Sequence, residues 1–505
     1  MNVVLRGLCV AVAAAAAGCA TVQDPFPANL QSPSEQVRRC AEWFQSLDAE
    51  VDAAGVRDAQ YARVPGFPYL RVDRISASLR GRAAANEPAL QRFADRLLDL
   101  DLESRRHEIA NLPRRGFDAL PEAAEFGRAG ALHYTRACGR LLRDLDLAKP
   151  EARAALLRSA SVPDDYSTAS RLLGLYALTR IAFADGVRRW QEEDLEAFRA
   201  EARLPAGAVL VRYAPPTAGA LARSAVAAIL RSAHLDPLGM PELPDTDFER
   251  LAAAYAPSFE IAVAGDADRF GALRWRRGDP VPEVNAAEPA VYVQAAYTDY
   301  GDRVLLQLVY TIWFPERPAQ GAFDLYAGRL DGVMWRVTLA PDGEPVLYDS
   351  IHSCGCYHKF FPTPRARPRP APDPLEEWAF VPQPLPRVAE DERPVLRIAS
   401  GTHFIERVTL VRGSDSVARY SFLPYDALRS MPRLEGGARS AFGPDGLMAG
   451  TERAERILFW PMGIASAGAM RQWGRHATAF VGRRHFDDAD LVERRFELDL
   501  GEERR

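Results

Sequence analysis

Apolar positions along this chain follow two spacings. Between residues 32 and 256 they recur mostly at three- and four-residue intervals. Beyond 257 they come as short runs of Val, Ile, Leu, Tyr and Phe between turn residues. The first spacing puts side chains on one helical face, and the second suits strands. Val37, Cys40, Phe44, Leu47 and Val51 form the clearest helical stripe. Ser32-Pro33-Ser34-Glu35 precedes it, so Ser32 is expected to cap the helix, Pro33 to enter its first turn and Glu35 to complete a capping box. Further helices are expected near 86–101, 119–146, 151–158, 166–184, 191–202, 217–234 and 245–256, where Pro, Gly and Asp interrupt the pattern.

In the second half, Val291–Thr298 and Arg303–Phe314 flank Tyr300-Gly301-Asp302. Met334–Leu339 and Pro345–Ile351 flank Pro341-Asp342-Gly343. Two such hairpin signals predict an antiparallel meander. Proline is dense from 362 to 394, which predicts an extended connector. Strands are then expected at 395–399, 404–411, 418–422 and 457–460, a helix near 466–474 and a last strand near 477–482. The fold class expected is α+β, a helical N-terminal half followed by an antiparallel β-rich C-terminal half. The divisions read from the pattern are a helical domain (32–256), an antiparallel β domain (257–361), the connector (362–394) and a C-terminal region (395–505).

Composition changes this picture little. Of 505 residues, 48% are hydrophobic and 26% charged, as in ordinary globular proteins. A net charge of −5 gives no bulk attraction for nucleic acid or anionic lipid.

The N-terminus changes it more. Arg6 is followed by an apolar run from Leu8 to Ala17, too short for a permanent membrane span and typical of a secretory signal. Ala16-Ala17-Gly18-Cys19 resembles the lipobox of bacterial lipoproteins, with Ala16 where Leu is commoner. The resemblance implies that residues 1–18 form a cleaved signal peptide and that Cys19 carries the lipid, palmitate included. Residues 19–31 then read as a tether. Ala20, not Asp, implies an outer-membrane lipoprotein facing the periplasm. The partners implied are the membrane and another envelope protein.

Export permits disulfides. Cys40 and Cys138 lie on apolar helical faces, and a bond between them is expected, with two independent buried thiols as the other outcome. The densest reactive stretch is His352-Ser353-Cys354-Gly355-Cys356-Tyr357-His358. On a straight strand the two cysteines would sit roughly 6.5–7 Å apart and four ligands could not surround one ion. Gly355 can turn the chain through positive φ and bring the sulfurs together. Three readings stay open: structural cysteines, a zinc or copper site formed by His352, Cys354, Cys356 and His358, and a redox-active thiol pair. Tyr357 is expected to serve packing.

Other motifs fall short. His107-Glu108 lacks the second histidine of a zinc-protease helix, because Asn111 stands there. Ser466 lacks the preceding glycine of a nucleophile elbow. Arg471, Arg475, His476, Arg483, Arg484, His485, Asp487 and Asp488 form a polar tail cluster, read as salt-bridged surface, an anion site, or a setting for His485 as a general base. Trp313-Phe314 and Phe459-Trp460 read as core closure or a ligand groove. Two function classes follow. One is a non-catalytic envelope protein that binds a partner or supports structure. The other is a metal- or thiol-dependent protein centred on Cys354 and Cys356.

Overall fold

The structure is a computed structural model that describes residues 25–501, except 122, 202, 217–220, 234–235 and 414–417. Cys19, the signal segment and most of the tether lie outside the described residues.

Helices α1 (Glu35–Ala53), α2 (Glu87–Asn111) and α3 (Ala123–Leu147) pack around Trp43, Phe44, Leu97, Leu98 and Leu142. The predicted stripe of α1 is its buried face. The capping box does not form: Ser34 is the cap residue without a side-chain bond, and Ser32 Oγ accepts from its N–H at 3.3 Å. Cys40 of α1 is bonded to Cys138 of α3, with Cα atoms 5.0 Å apart. Helix α2 continues well beyond its expected end. Its inner face there carries Asp101, Arg105 and Glu108, buried against Arg71, which meets Asp101 at 3.1 Å and Glu108 at 2.7 Å. Buried charges interrupt the apolar spacing, so the helix outruns its hydrophobic pattern.

The two helices expected from 166 to 202 divide elsewhere. Helix α4 (Thr168–Leu173) ends at Gly174-Leu175, and α5 runs unbroken over Tyr176–Arg199. Gly174 sits against Pro461, where a Cβ would meet the proline Cβ at 2.5 Å.

Strands β1 (Val209–Ala214), β2 (Ser258–Val263), β3 (Ala290–Tyr300), β4 (Arg303–Arg317), β5 (Gly328–Leu339), β6 (Pro345–His352) and β7 (Lys359–Pro362) come next. Strands β8 (Glu392–Ile398), β9 (Ile405–Arg412), β10 (Ala418–Arg419) and β11 (Ser421–Pro424) follow the connector. One sheet has the order β7-β6-β5-β4-β3-β11, and a second has β9-β8-β2-β1-β10. The meander β3 to β7 is antiparallel, as the hairpin signals require. Gly301 and Gly343 take positive φ in two of its turns. Three pairings are parallel: β8 with β2, β10 with β1 and β11 with β3. Chain arriving late therefore extends both sheets and makes them mixed. The fold is α+β, with most helix in the N-terminal half and the sheets mainly in the C-terminal half.

The proline-rich connector lies against this body. Ala366–Pro368 pairs with Phe496–Leu498, and Phe380, Leu385 and Val388 are buried. The final stretch differs from its pattern. Ile457–Trp460 is not a strand: Arg456–Phe459 is a helical turn continued by 3-10 geometry over Trp460–Met462. A four-residue apolar run cannot distinguish the two by periodicity. Residues 466–474 form turns, because Gly468 and Gly474 take positive φ. Ala477 makes only an isolated bridge, to His485.

Candidate functional site

Strand β6 is buried along its whole length and ends at His352. The chain then reverses. Gly355 N–H donates to His352 C=O at 2.7 Å, and His352 N–H donates to Cys356 C=O at 3.0 Å. Gly355 has φ +92°, and Tyr357 follows at φ +62° before β7 returns along β6. The cysteine stretch is thus a hairpin tip turned by its glycine. A Cβ at Gly355 would lie 2.5 Å from the Ala477 carbonyl oxygen, so the tip rests directly on the C-terminal segment. Arg471 holds it from that side: its N–H donates to Ser353 C=O at 2.9 Å and its Nε to Cys354 C=O at 3.0 Å.

The turn brings the thiols together. Both are free; Cys354 is buried and Cys356 half-buried. Hydrogen bonding with Cys354, two residues away, followed by burial, pushes the Cys356 thiol well above its usual range. Tyr357 serves packing, as expected, between Trp190 and Phe404.

The imidazoles do not join the sulfurs. His352 Nδ1 faces Asp331 at 3.3 Å. His403 meets the other oxygen of Asp331 at 2.8 Å, stacks on Phe314 at 3.9 Å and approaches Asp268 at 3.6 Å. Burial works to raise the Asp331 carboxyl, but His352 and His403 hold it well below the usual range. His358 Nε2 bonds Asp349 at 2.8 Å, beside the bidentate pair of Asp349 with Arg336. Burial, only partly offset by Asp349, pulls the His358 pKa down to about 3. The four residues named from the sequence therefore divide, thiols together and each imidazole with an aspartate. Among the described residues, no three His, Cys, Asp or Glu side chains are arranged to hold a metal ion. The hairpin that joins the sulfurs also places each imidazole beside a buried aspartate.

Sequence reasoning missed Glu455. It is buried, and among the described residues its carboxylate has no hydrogen bond or salt bridge. Burial raises its pKa to about 7, against the pull of Arg453, Arg317 and Arg471. Its negative charge also helps to raise Cys356. Its Oε1 presses on Gly468, where any side chain would collide with it. Gly468, Ile464 and Phe480 face Cys354, Cys356 and Tyr357 across a small cavity. No spacing in the sequence connects Glu455 to the cysteines.

The tail cluster is spent on internal partners. His485 lies between Asp165 at 3.3 Å and Asp488 at 3.5 Å. Arg74 meets Asp487 at 3.2 Å, and Arg475 meets Asp165 at 2.6 Å. Arg483 pairs with Asp164, while Arg484 donates to the carbonyls of Glu377 and Trp378. Burial drives His476 down to about 3. Trp313 and Phe314 are core residues, whereas Trp460 is 45% exposed. Ser466 has φ +46°, and its hydroxyl has no partner among the described residues.

Compared with known protein families, curated proteins and solved structures, the chain matches none.

Proposed function

We propose that this chain is an exported, lipid-anchored envelope protein that exchanges thiols and disulfides through Cys354 and Cys356. One observation carries the reading: a glycine-turned hairpin tip sets two free cysteines beside a small cavity, and the Gly468 wall of that cavity is backed by the buried Glu455 carboxyl. The thiolate is the nucleophile in such exchange. Cys356 is the more accessible sulfur, yet its thiol holds its proton tightly. Glu455, whose pKa is raised to about 7, is the general base assigned to that proton.

In the proposed step, Glu455 receives the Cys356 proton. The thiolate attacks one sulfur of a disulfide-bearing substrate; that S–S bond breaks and the other sulfur leaves as a thiol, taking the proton back from Glu455. Cys354 then gives its proton to Glu455 and attacks Cys356; the mixed S–S bond breaks, the second substrate sulfur leaves with that proton as a thiol, and a Cys354–Cys356 disulfide remains. The substrate gains the two electrons the pair loses. Export rests on the lipobox resemblance, and an oxidising compartment supplies substrates of this class.

The test treats protein with its Cys40–Cys138 bond intact with an aromatic disulfide reagent. Two equivalents of reporter thiol should be released, leaving a protein two hydrogens lighter and free of adduct. Cys354→Ser should stop at a stable mixed disulfide. Retention of two adducts, or no reaction, returns the cysteines to a packing role and leaves a non-catalytic binding protein.

A further inference from the structure

The tip formed by α4 and the start of α5 carries Leu172, Leu173, Leu175, Leu178 and Ile181, all strongly exposed. Ile457, Leu458 and Trp460 are also exposed on the adjoining turn, and the eight side chains span 45% to 79% exposure. The two segments are pinned together. Ser167 N–H donates to Gly463 C=O at 2.8 Å, Arg171 Nε to Met462 C=O at 2.8 Å, and Gly174 abuts Pro461. Phe183 and Phe459 pack edge to face beneath them at 5.3 Å. A rigid, internally bonded base thus presents an aliphatic surface that no described residue covers.

We infer that this surface docks into the headgroup region of an anionic phospholipid bilayer. Three observations favour lipid over a protein partner. Protein-interface hot spots are rich in Trp, Tyr and Arg and poor in Leu, whereas here five of eight residues are Leu. Leu and Ile with one Trp match the apolar face of interfacial membrane elements. Charge agrees: between Tyr166 and Ala184, and between Arg456 and Met470, there is no carboxylate, and of the three arginines there Arg171 is buried and Arg180 pairs with Asp373 at 3.4 Å, which leaves the exposed Arg456. Arg456 is exposed beside Ile457 and meets anionic headgroups where the aliphatic side chains enter. Among the described residues no helix is long and apolar enough to cross a membrane, so this contact is interfacial. The proposal goes beyond the thiol reading and does not depend on it. The lipid on Cys19, itself a sequence-based reading, would bring this surface to a membrane as a second attachment.

The test uses the chain from Ala20 onward, which keeps every described residue and carries no acyl group. It is sedimented with phosphatidylcholine vesicles with and without phosphatidylglycerol. Binding is expected to be stronger with phosphatidylglycerol, and Trp460→Phe should remove a lipid-dependent blue shift in emission. Leu172→Ser with Leu173→Ser should weaken binding by at least about tenfold, equivalent to about 1.4 kcal/mol. Arg456→Glu should weaken binding to the anionic vesicles alone. Both changes lie at exposed positions, and an unchanged thermal melt confirms the fold. Absence of vesicle binding by the parent protein overturns the proposal. So does a dimer in light scattering that the leucine changes dissolve while vesicle binding is unaffected. Neither result bears on disulfide exchange, which is read separately.

Discussion

Replacing Gly355 by Ala tests whether the hairpin tip is built as described. Two costs add. The residue has φ +92°, where an L side chain is strained by about 1–3 kcal/mol. Its Cβ would also lie 2.5 Å from the Ala477 carbonyl oxygen. That carbonyl is not free to retreat, because Ala477 is buried and bridged to His485. Overpacking of this kind costs about 1–3 kcal/mol, giving a total of about 2–6 kcal/mol. Gly436 is a matched control: its φ is +93° and a Cβ there would have nothing within 4 Å, so Gly436→Ala bears the strain alone. Urea unfolding of the two variants should place Gly355→Ala below Gly436→Ala by about 1–3 kcal/mol. Cys354 and Cys356 should also become easier to alkylate as the tip lifts from Ala477. Equal stability of the two variants would refute the close backbone approach.

Removing the Cys40–Cys138 bond by paired serine substitution opens a loop whose ends are 98 residues apart, so it should cost about 4–5 kcal/mol in urea unfolding; a loss under about 1 kcal/mol would show that the bond is unimportant to stability. Glu455 is raised from 4.5 to about 7, so the folded state holds its proton longer than the unfolded chain and stability falls as pH rises between those values, by about 3 kcal/mol in all. Glu455→Gln should flatten that part of the pH–stability curve, and an unchanged slope would place the carboxyl in water. His476 is lowered from 6.5 to about 3, so stability should fall as pH drops below 6.5, by about 1.4 kcal/mol per pH unit for this group. Unfolding at pH 7 and pH 5 in wild type and His476→Gln checks this, since the variant should lose one proton's worth of slope.

Periodicity revealed the helical face of α1, turn residues between apolar runs revealed the meander, and two apolar helical faces together with the expected export pointed to the Cys40–Cys138 pairing. It failed where distant charges replace apolar contact. The end of α2 is buried through Arg71, which lies in another segment, and no local pattern announces that. It also failed in the turn-rich stretch from 457 to 482, where glycines at positive φ set the path. For the site, Gly355 and the two cysteines were legible from three adjacent letters. The partners of His352 and His358 were not, because Asp331 sits on the neighbouring strand β5 and Asp349 faces back along β6. Glu455 gave no signal, since its proximity to the thiols exists only after the C-terminal segment folds onto the hairpin tip.

The most direct measurement on the central claim is a redox titration of Cys354 and Cys356. Protein is equilibrated in glutathione buffers of graded potential, quenched in acid, alkylated and mapped by mass. Thiol–disulfide exchange predicts that the two cysteines pass together from alkylated to mutually bonded over one transition, while Cys40–Cys138 stays oxidised throughout. If both remain fully alkylated in the most oxidising buffer, or each carries a separate glutathione, the pair is not a disulfide couple and the proposed function fails.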